Sequence, residues 1–244
     1  LELLPIEGSV DDTIDRFIRP FDLQATPLVR AGLVELAPAE HLLIVDLHHI
    51  ITDGISQTVL IKDFMQLYAG ETLPNLSIQY KDYAEWESQR IHQRAGARDF
   101  WISDLSDELP VLDLPTDFKS PAVKSQVGQS LDFTIDPATT KALKKIAREE
   151  RTTLFNLILA IFNVLVGRLT NSTDVIIGTT TSGRPQAELE QVIGMFVTTI
   201  PLRNFPRGAL RVREFLRQVS DKTLRCLDNQ AYSYDELLAA LKEE

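Results

Sequence analysis

Cysteine is nearly absent. Of 244 residues only Cys226 carries a thiol, so the chain has no internal disulfide framework. Basic residues are also in deficit, 25 Lys and Arg against 35 Asp and Glu, a formal charge of -10. Such a balance offers a polyanion no electrostatic footprint and argues against nucleic acid as a partner. No apolar run approaches the length of a membrane span, and Leu1-Glu2-Leu3-Leu4-Pro5 shows no basic region ahead of an apolar core. Neither membrane nor export is expected, and the setting reads as reduced and cytoplasmic.

Several chemical signatures are missing as well. There is no Gly-x-Ser-x-Gly elbow, so Ser56 and Ser182 read as ordinary turn serines rather than nucleophiles. Without a Gly-rich phosphate loop, a dinucleotide fingerprint or Gly-x-x-x-x-Gly-Lys-[Ser/Thr], no nucleotide cofactor is expected. No set of Cys, His and carboxylates stands at ligand spacing, and no metal is expected.

What is present concentrates between His41 and Leu67. In His-Leu-Leu-Ile-Val-Asp-Leu-His-His the side chains of a strand alternate, placing Leu43, Val45, Leu47 and His49 on one face and Leu42, Ile44, Asp46 and His48 on the other. One histidine can then pack in the core while the other looks into a cavity, and residues on opposite faces do not readily chelate one ion. Gly54 allows a tight strand-to-helix turn and a bare backbone beside a substrate. Ile55, Val59, Leu60, Phe64, Leu67 and Tyr68 recur at helical spacing after it. A blander reading is a buried strand with a satisfied histidine and an Asp53 that merely caps the next helix.

His48-His49-Ile50-Ile51-Thr52-Asp53-Gly54 resembles the HHxxxDG motif of condensation domains of nonribosomal peptide synthetases, and more loosely the HxxxDG of chloramphenicol acetyltransferase-like enzymes. Further stretches resemble that family in the same order: Arg19-Pro20-Phe21-Asp22-Leu23 with the run from Pro27 to Leu33, Tyr80 to Trp86, Leu114-Pro115-Thr116-Asp117, and Ile193 to Arg203, with Thr198 in place of the usual Asn. A weaker match runs from Asn229 to Asp235. The resemblance implies an α/β fold of two acetyltransferase-like lobes in a V-shaped pseudo-dimer, here lacking the usual N- and C-terminal segments. The lobes are expected at 1-115 and 116-244, with Pro110 to Pro121 as the linker.

Local signals add detail. Residues 9 to 19 read as a helix capped by Ser9 or Asp11, and Leu28 to Leu36 as a strand pairing with Leu42 to His48. A second helix is expected from Tyr80 on towards Trp101, its aromatics serving as core; His92 on it receives no role. A strand is expected at about Ser130 to Ile135, a helix opened by Asp136-Pro137, a helix from Thr152 to Leu169 apolar almost all round and therefore buried, and a core strand near Val175. Cys226 reads as a small core residue.

Condensation joins a donor aminoacyl or peptidyl thioester to the amine of an acceptor aminoacyl thioester, each on the phosphopantetheine arm of a carrier protein. The demands are to place the amine against the carbonyl, accept its proton and stabilise the oxyanion. An imidazole, titrating near pH 6.5 in model peptides, suits the middle task. The resemblance makes His49, the motif's second histidine, the candidate, as general base or as an acceptor that positions the amine. His48, on the opposite and packed strand face, is assigned to structure. Asp53 is expected to lock the turn through an ion pair, as the resemblance also implies, with Arg184 the expected partner. Gly54 offers its N–H or clears space for the arm. No cofactor is expected on the chain itself; its expected partners are donor and acceptor carrier proteins and a neighbouring adenylation domain. Rival readings are a CoA-dependent HxxxDG acyltransferase, an epimerising relative, and a non-catalytic carrier-docking fragment.

Overall fold

The structure, a computed structural model, describes residues 1–6, 8–90, 94–119, 121–123, 125 and 128–243; His92 lies outside them. Contacts divide the chain into two compact units, Leu1–Arg90 with Ser182–Val197, and Ile91–Thr181 with Thr198–Glu244. This partition differs from the expected division after residue 115, because the segment after residue 90 and the segment 182–197 each pack with residues distant in sequence.

In the first unit β1 (Glu2–Leu4), β2 (Val29–Ala37) and β3 (Glu40–Leu47) form one sheet in that order. β2 and β3 make the expected antiparallel hairpin, with Val29 opposite Leu47, while β1 runs parallel to β2. Helix α1 (Val10–Phe17) starts in a capping box: the Ser9 hydroxyl accepts from the Asp12 N–H and the Asp12 carboxylate accepts from Ser9 N–H. Its Phe17 is buried against β2 at Gly32, where a Cβ would stand 2.9 Å from the Phe17 ring and 2.5 Å from Leu4. A larger residue there would have to push the Leu4 and Phe17 side chains aside.

Helices α2 (Gly54–Tyr68) and α3 (Tyr80–Gln89) follow. The buried residues of α2 are Ser56 and Val59, whereas Phe64, Leu67 and Tyr68, expected on its core stripe, are 44%, 56% and 83% exposed. Polar partners of Ser56, not apolar spacing, choose the inward face. α3 ends at Arg90, whose N–H bonds back to the Glu87 carbonyl, and Trp101 stands on a separate helix, α4 (Ala95–Asp104). The expected single helix is thus two, since Tyr80 and Tyr83 serve the first unit's core and Phe100 and Trp101 the second's.

The second unit adds α5 (Pro137–Glu149), α6 (Leu154–Thr170), α7 (Val212–Asp228), α8 (Tyr234–Glu243) and the antiparallel pair β4 (Val175–Thr181) and β5 (Thr198–Asn204). Asp136 caps α5 by accepting from the N–H groups of Ala138 and Thr139, both at 2.9 Å, with Pro137 at the first position. The core gathers Trp101, Leu157, Ile200, Leu202, Leu216 and Val219; the indole N–H of Trp101 donates to the Asn229 carbonyl at 2.9 Å. Cys226 is fully buried there, as expected.

Two expectations fail in this unit. α6 buries Leu157, Leu159, Ala160 and Val166 but leaves Phe155, Ile161, Phe162 and Leu165 47–51% exposed. Residues 130–135 form no strand, and Leu131 and Phe133 are 90% and 84% exposed. Their alternation is strand-like, but a strand persists only where a neighbour pairs its backbone, and no described strand does. No single helix among the described residues is long and apolar enough to cross a membrane.

Candidate active site

Strand β3 ends at Leu47, and the two histidines stand in the turn that follows. His48 caps a short 3-10 turn, His49–Ile51; its Nδ1 accepts from the Ile50 N–H at 3.1 Å. Its half-buried ring meets Phe21 edge-on at 5.9 Å. His49 is exposed, and among the described residues its ring has no hydrogen-bond partner. Strand alternation does not apply to the two rings, because β3 ends at Leu47; the turn separates them, leaving His48 half-buried and His49 exposed.

Asp53 is the N-cap of α2 and the centre of a buried polar cluster. Its Oδ1 accepts from Ser56 N–H at 2.7 Å and its Oδ2 from Phe196 N–H at 3.0 Å. Arg184 Nη2 donates to both oxygens at 3.1 and 3.3 Å, with side-chain exposures of 3% for Arg184 and 0% for Asp53. The bland reading of Asp53 as a cap and the sharper one as an ion pair are therefore one geometry. Burial pushes the Asp53 carboxyl up, but the N–H groups of Ser56 and Phe196, with the Arg184 side chain, outweigh it and hold it below the usual range.

Arg184 is anchored in turn. Its Nη1 donates to the carbonyls of Leu189 and Val192 at 2.6 and 2.7 Å, and its guanidinium lies 3.9 Å from the centre of the Phe196 ring. The fully buried Ser56 hydroxyl accepts from Arg184 Nη2 at 2.8 Å and Gly194 N–H at 3.0 Å and donates to the Gly194 carbonyl at 2.8 Å. Every hydrogen-bonding capacity of that hydroxyl is used, so it has no free lone pair for nucleophilic work.

Tyr80 and Tyr83 of α3 close the cluster. The Tyr80 hydroxyl donates to the Met195 carbonyl at 2.7 Å, and both rings pack on Phe196, with centres 5.0 and 4.8 Å away. Burial first, and the Asp53 charge second, raise the Tyr80 pKa. Thus the stretches Thr52–Ser56, Tyr80–Tyr83 and Arg184–Phe196 converge on one carboxylate.

Glycines make the approach possible, but not the one expected. Gly54 has no positive φ, and a Cβ there would meet nothing within 4 Å. Its turn does not demand glycine, and the bare space beside it is the remaining distinction. Gly183 has φ 61, and a Cβ would fall 1.7 Å from the Phe196 carbonyl oxygen; at Gly194 one would fall 2.0 Å from the Tyr80 ring. Ser56, read from the sequence as an ordinary turn serine, and Gly194, noted only within the stretch from Ile193 to Arg203, receive no site role there, and Gly183 receives none either; Ser56 at the third helical position after an Asp cap is nonetheless a readable signal. Beside the cluster, Thr58, Val59, Lys62, Ser182, Arg184 and Glu190 help line a cavity of about 400 Å³. Among the described residues no group of three or more His, Cys, Asp and Glu side chains could hold a metal ion.

A mixed α/β chain with this architecture has solved counterparts. The X-domain in the complex of the X-domain and OxyB from teicoplanin biosynthesis superimposes with a TM-score of 0.87 at 24% identity, over 99% of this chain and 57% of that one. The first condensation domain of the calcium-dependent antibiotic synthetase, in complex with substrate analogue 2a, gives 0.72 at 22% identity, over 98% of this chain and 58% of that one. The fold is that of condensation domains. The family model for the Condensation domain matches residues 2–244, and the chain belongs to that family. It is also 44% identical to tyrocidine synthase 3 of Brevibacillus parabrevis over 237 residues, 96% of this chain and 4% of that protein.

Proposed function

We propose that the chain forms peptide bonds in nonribosomal peptide synthesis, joining a donor aminoacyl or peptidyl thioester to the amine of an acceptor aminoacyl thioester. Donor and acceptor arrive on the phosphopantetheine arms of carrier proteins, within a cytoplasmic synthetase that also holds an adenylation domain. The observation that carries this reading is the exposed His49, whose ring has no hydrogen-bond partner among the described residues, set at the head of a turn that the buried Asp53–Arg184 pair holds to α2.

In the reaction the acceptor nitrogen attacks the thioester carbonyl, the C–N bond forms, and the tetrahedral oxyanion collapses with cleavage of the C–S bond. The amine proton passes to His49 and on to the departing thiolate. His48, engaged with the Ile50 N–H, keeps the turn in shape. Asp53 stays ionised and takes no proton. Gly54, with no atom crowding its Cα face, leaves room for an extended arm.

Mass spectrometry of carrier-bound products tests this directly, with a donor-loaded and an acceptor-loaded carrier mixed with wild-type protein or His49→Ala. Dipeptidyl-carrier from the wild type, falling at least about tenfold (about 1.4 kcal/mol) in the variant, is expected. Equal yields from both proteins would remove His49 from the chemistry. Acyl transfer from free CoA thioesters, with none between carriers, would replace the reading altogether.

A further inference from the structure

The chain carries -10 overall, yet one face of α5 reverses that sign. Lys141, Lys144 and Arg148 stand three and four residues apart, which on a helix aligns them on one side over about 10 Å. All three are exposed, and among the described residues none is ion-paired: Lys145, on the neighbouring face, takes Glu149, and Glu150 is taken by Arg213 and Arg217. Among the described residues the trio's side chains make one hydrogen bond, from Arg148 Nε to the Lys144 carbonyl.

These cations border a groove of about 780 Å³, which Ile135, Pro137, Ala147 and Leu154 line on its apolar side and Thr140 and Thr152 on its polar side. Two features define what fits. An apolar strip requires apolar side chains, which a free phosphate does not bring. A linear row of three cations requires carboxylates at matching helical spacing, which an acidic amphipathic helix supplies at i, i+3 and i+7. Three charges are too few to hold nucleic acid against the repulsion of a strongly anionic chain.

We infer that the α5 groove docks an acidic amphipathic helix of a carrier protein, with Lys141, Lys144 and Arg148 pairing its carboxylates. This assignment rests on the proposed function, which requires carriers to engage the chain. Pairs at such a rim act mainly on encounter rate and orientation, so their loss raises KM and leaves turnover at saturation alone.

The test uses the full chain and a fluorescently labelled holo carrier protein whose candidate docking helix is acidic. Binding is read by anisotropy between 50 and 300 mM salt, over which the screening length shrinks from about 14 to about 6 Å, and condensation is read separately by mass spectrometry. The triple variant Lys141→Glu, Lys144→Glu, Arg148→Glu is expected to weaken carrier binding about tenfold or more at low salt and to flatten its salt dependence. KM for that carrier rises with kcat unchanged. A carrier with the complementary Glu→Lys changes restores binding to the variant but not to the wild type. Because all three positions are exposed, loss of fold is excluded by an unchanged melting curve, and Lys141→Ala with Lys144→Ala provides a milder variant with a smaller effect in the same direction.

Wild-type affinity and salt slope in both variants, or no carrier binding by the wild-type chain, would overturn the assignment. Groove-dependent binding without any product would leave the docking site standing and remove the proposed chemistry. Product formation by an unaffected variant would do the reverse.

Discussion

Asp53 and Arg184 show what a buried pair demands. Each has its remaining hydrogen-bond capacity taken up almost entirely by main-chain groups or Ser56, leaving only Arg184 Nε without a partner. Removing one member strands the other, so Arg184→Ala is expected to cost about 3–5 kcal/mol in urea unfolding. Arg184→Lys should recover little of that, because one ammonium cannot reach Asp53, Ser56 and two carbonyls together. The sign with pH follows from the Asp53 pKa being held below the ordinary carboxylate range. Its stabilisation is present above the unfolded value and is lost as pH falls through the folded one. Asp53→Asn is therefore expected to be less stable than wild type at pH 7, with the gap closing below about pH 4. Cys226 offers a second probe at this scale. Burial, only partly opposed by Lys222, pushes its thiol up to about 12. Labelling with iodoacetamide at pH 8 is expected to be at least roughly 1000-fold slower in the native chain than in denaturant.

At the scale of elements, α6 separates hydrophobicity from burial. Leu159 is 6% exposed and Ile161, two residues on, is 51% exposed. Leu159→Ala is expected to cost about 2–5 kcal/mol, whereas Ile161→Ala should stay within about 0.5 kcal/mol in the same denaturation series. Comparable losses at both sites would show that the outer face of α6 is covered. The sequence marks this helix as Thr152 to Leu169, close to the observed Leu154–Thr170 between the Thr153 and Asn171 caps, because its apolar run is local. It does not mark the buried side, since an apolar residue looks the same whether or not a neighbour covers it. The hairpin of β2 and β3 was legible for the opposite reason: its two strands are consecutive and their alternation carries the register.

For the whole molecule the exposed apolar residues accumulate. Phe64, Leu67 and Tyr68 on α2, with Phe155, Ile161 and Leu165 on α6, leave more apolar surface open than isolated surface residues account for. The 244-residue chain by itself is therefore expected to bind a fluorescent apolar dye such as ANS in its folded state. It should also sediment with a weight-average mass that rises with concentration. A dye-silent monomer at every concentration would show that these faces find cover within the chain. The partition into two units belongs to this scale as well: Ser182–Val197 lies between β4 and β5 in sequence yet groups with Leu1–Arg90.

Composition, caps and short motifs by themselves determined most of the α/β elements, the absence of a disulfide framework and the family that the HHxxxDG stretch resembles, because each is written within a few neighbouring residues. The pairing of Asp53 with Arg184 was readable only as a guess from that resemblance. Tertiary structure alone decided that Ser56 ties α2 to Gly194, that Gly183 and Gly194 rather than Gly54 are the sterically constrained glycines of the site, and that a strand-like run at 130–135 pairs with no described strand. Each of these depends on which distant groups meet: a hydrogen bond across 138 residues of chain, or a missing neighbour strand, leaves no periodic trace along the sequence.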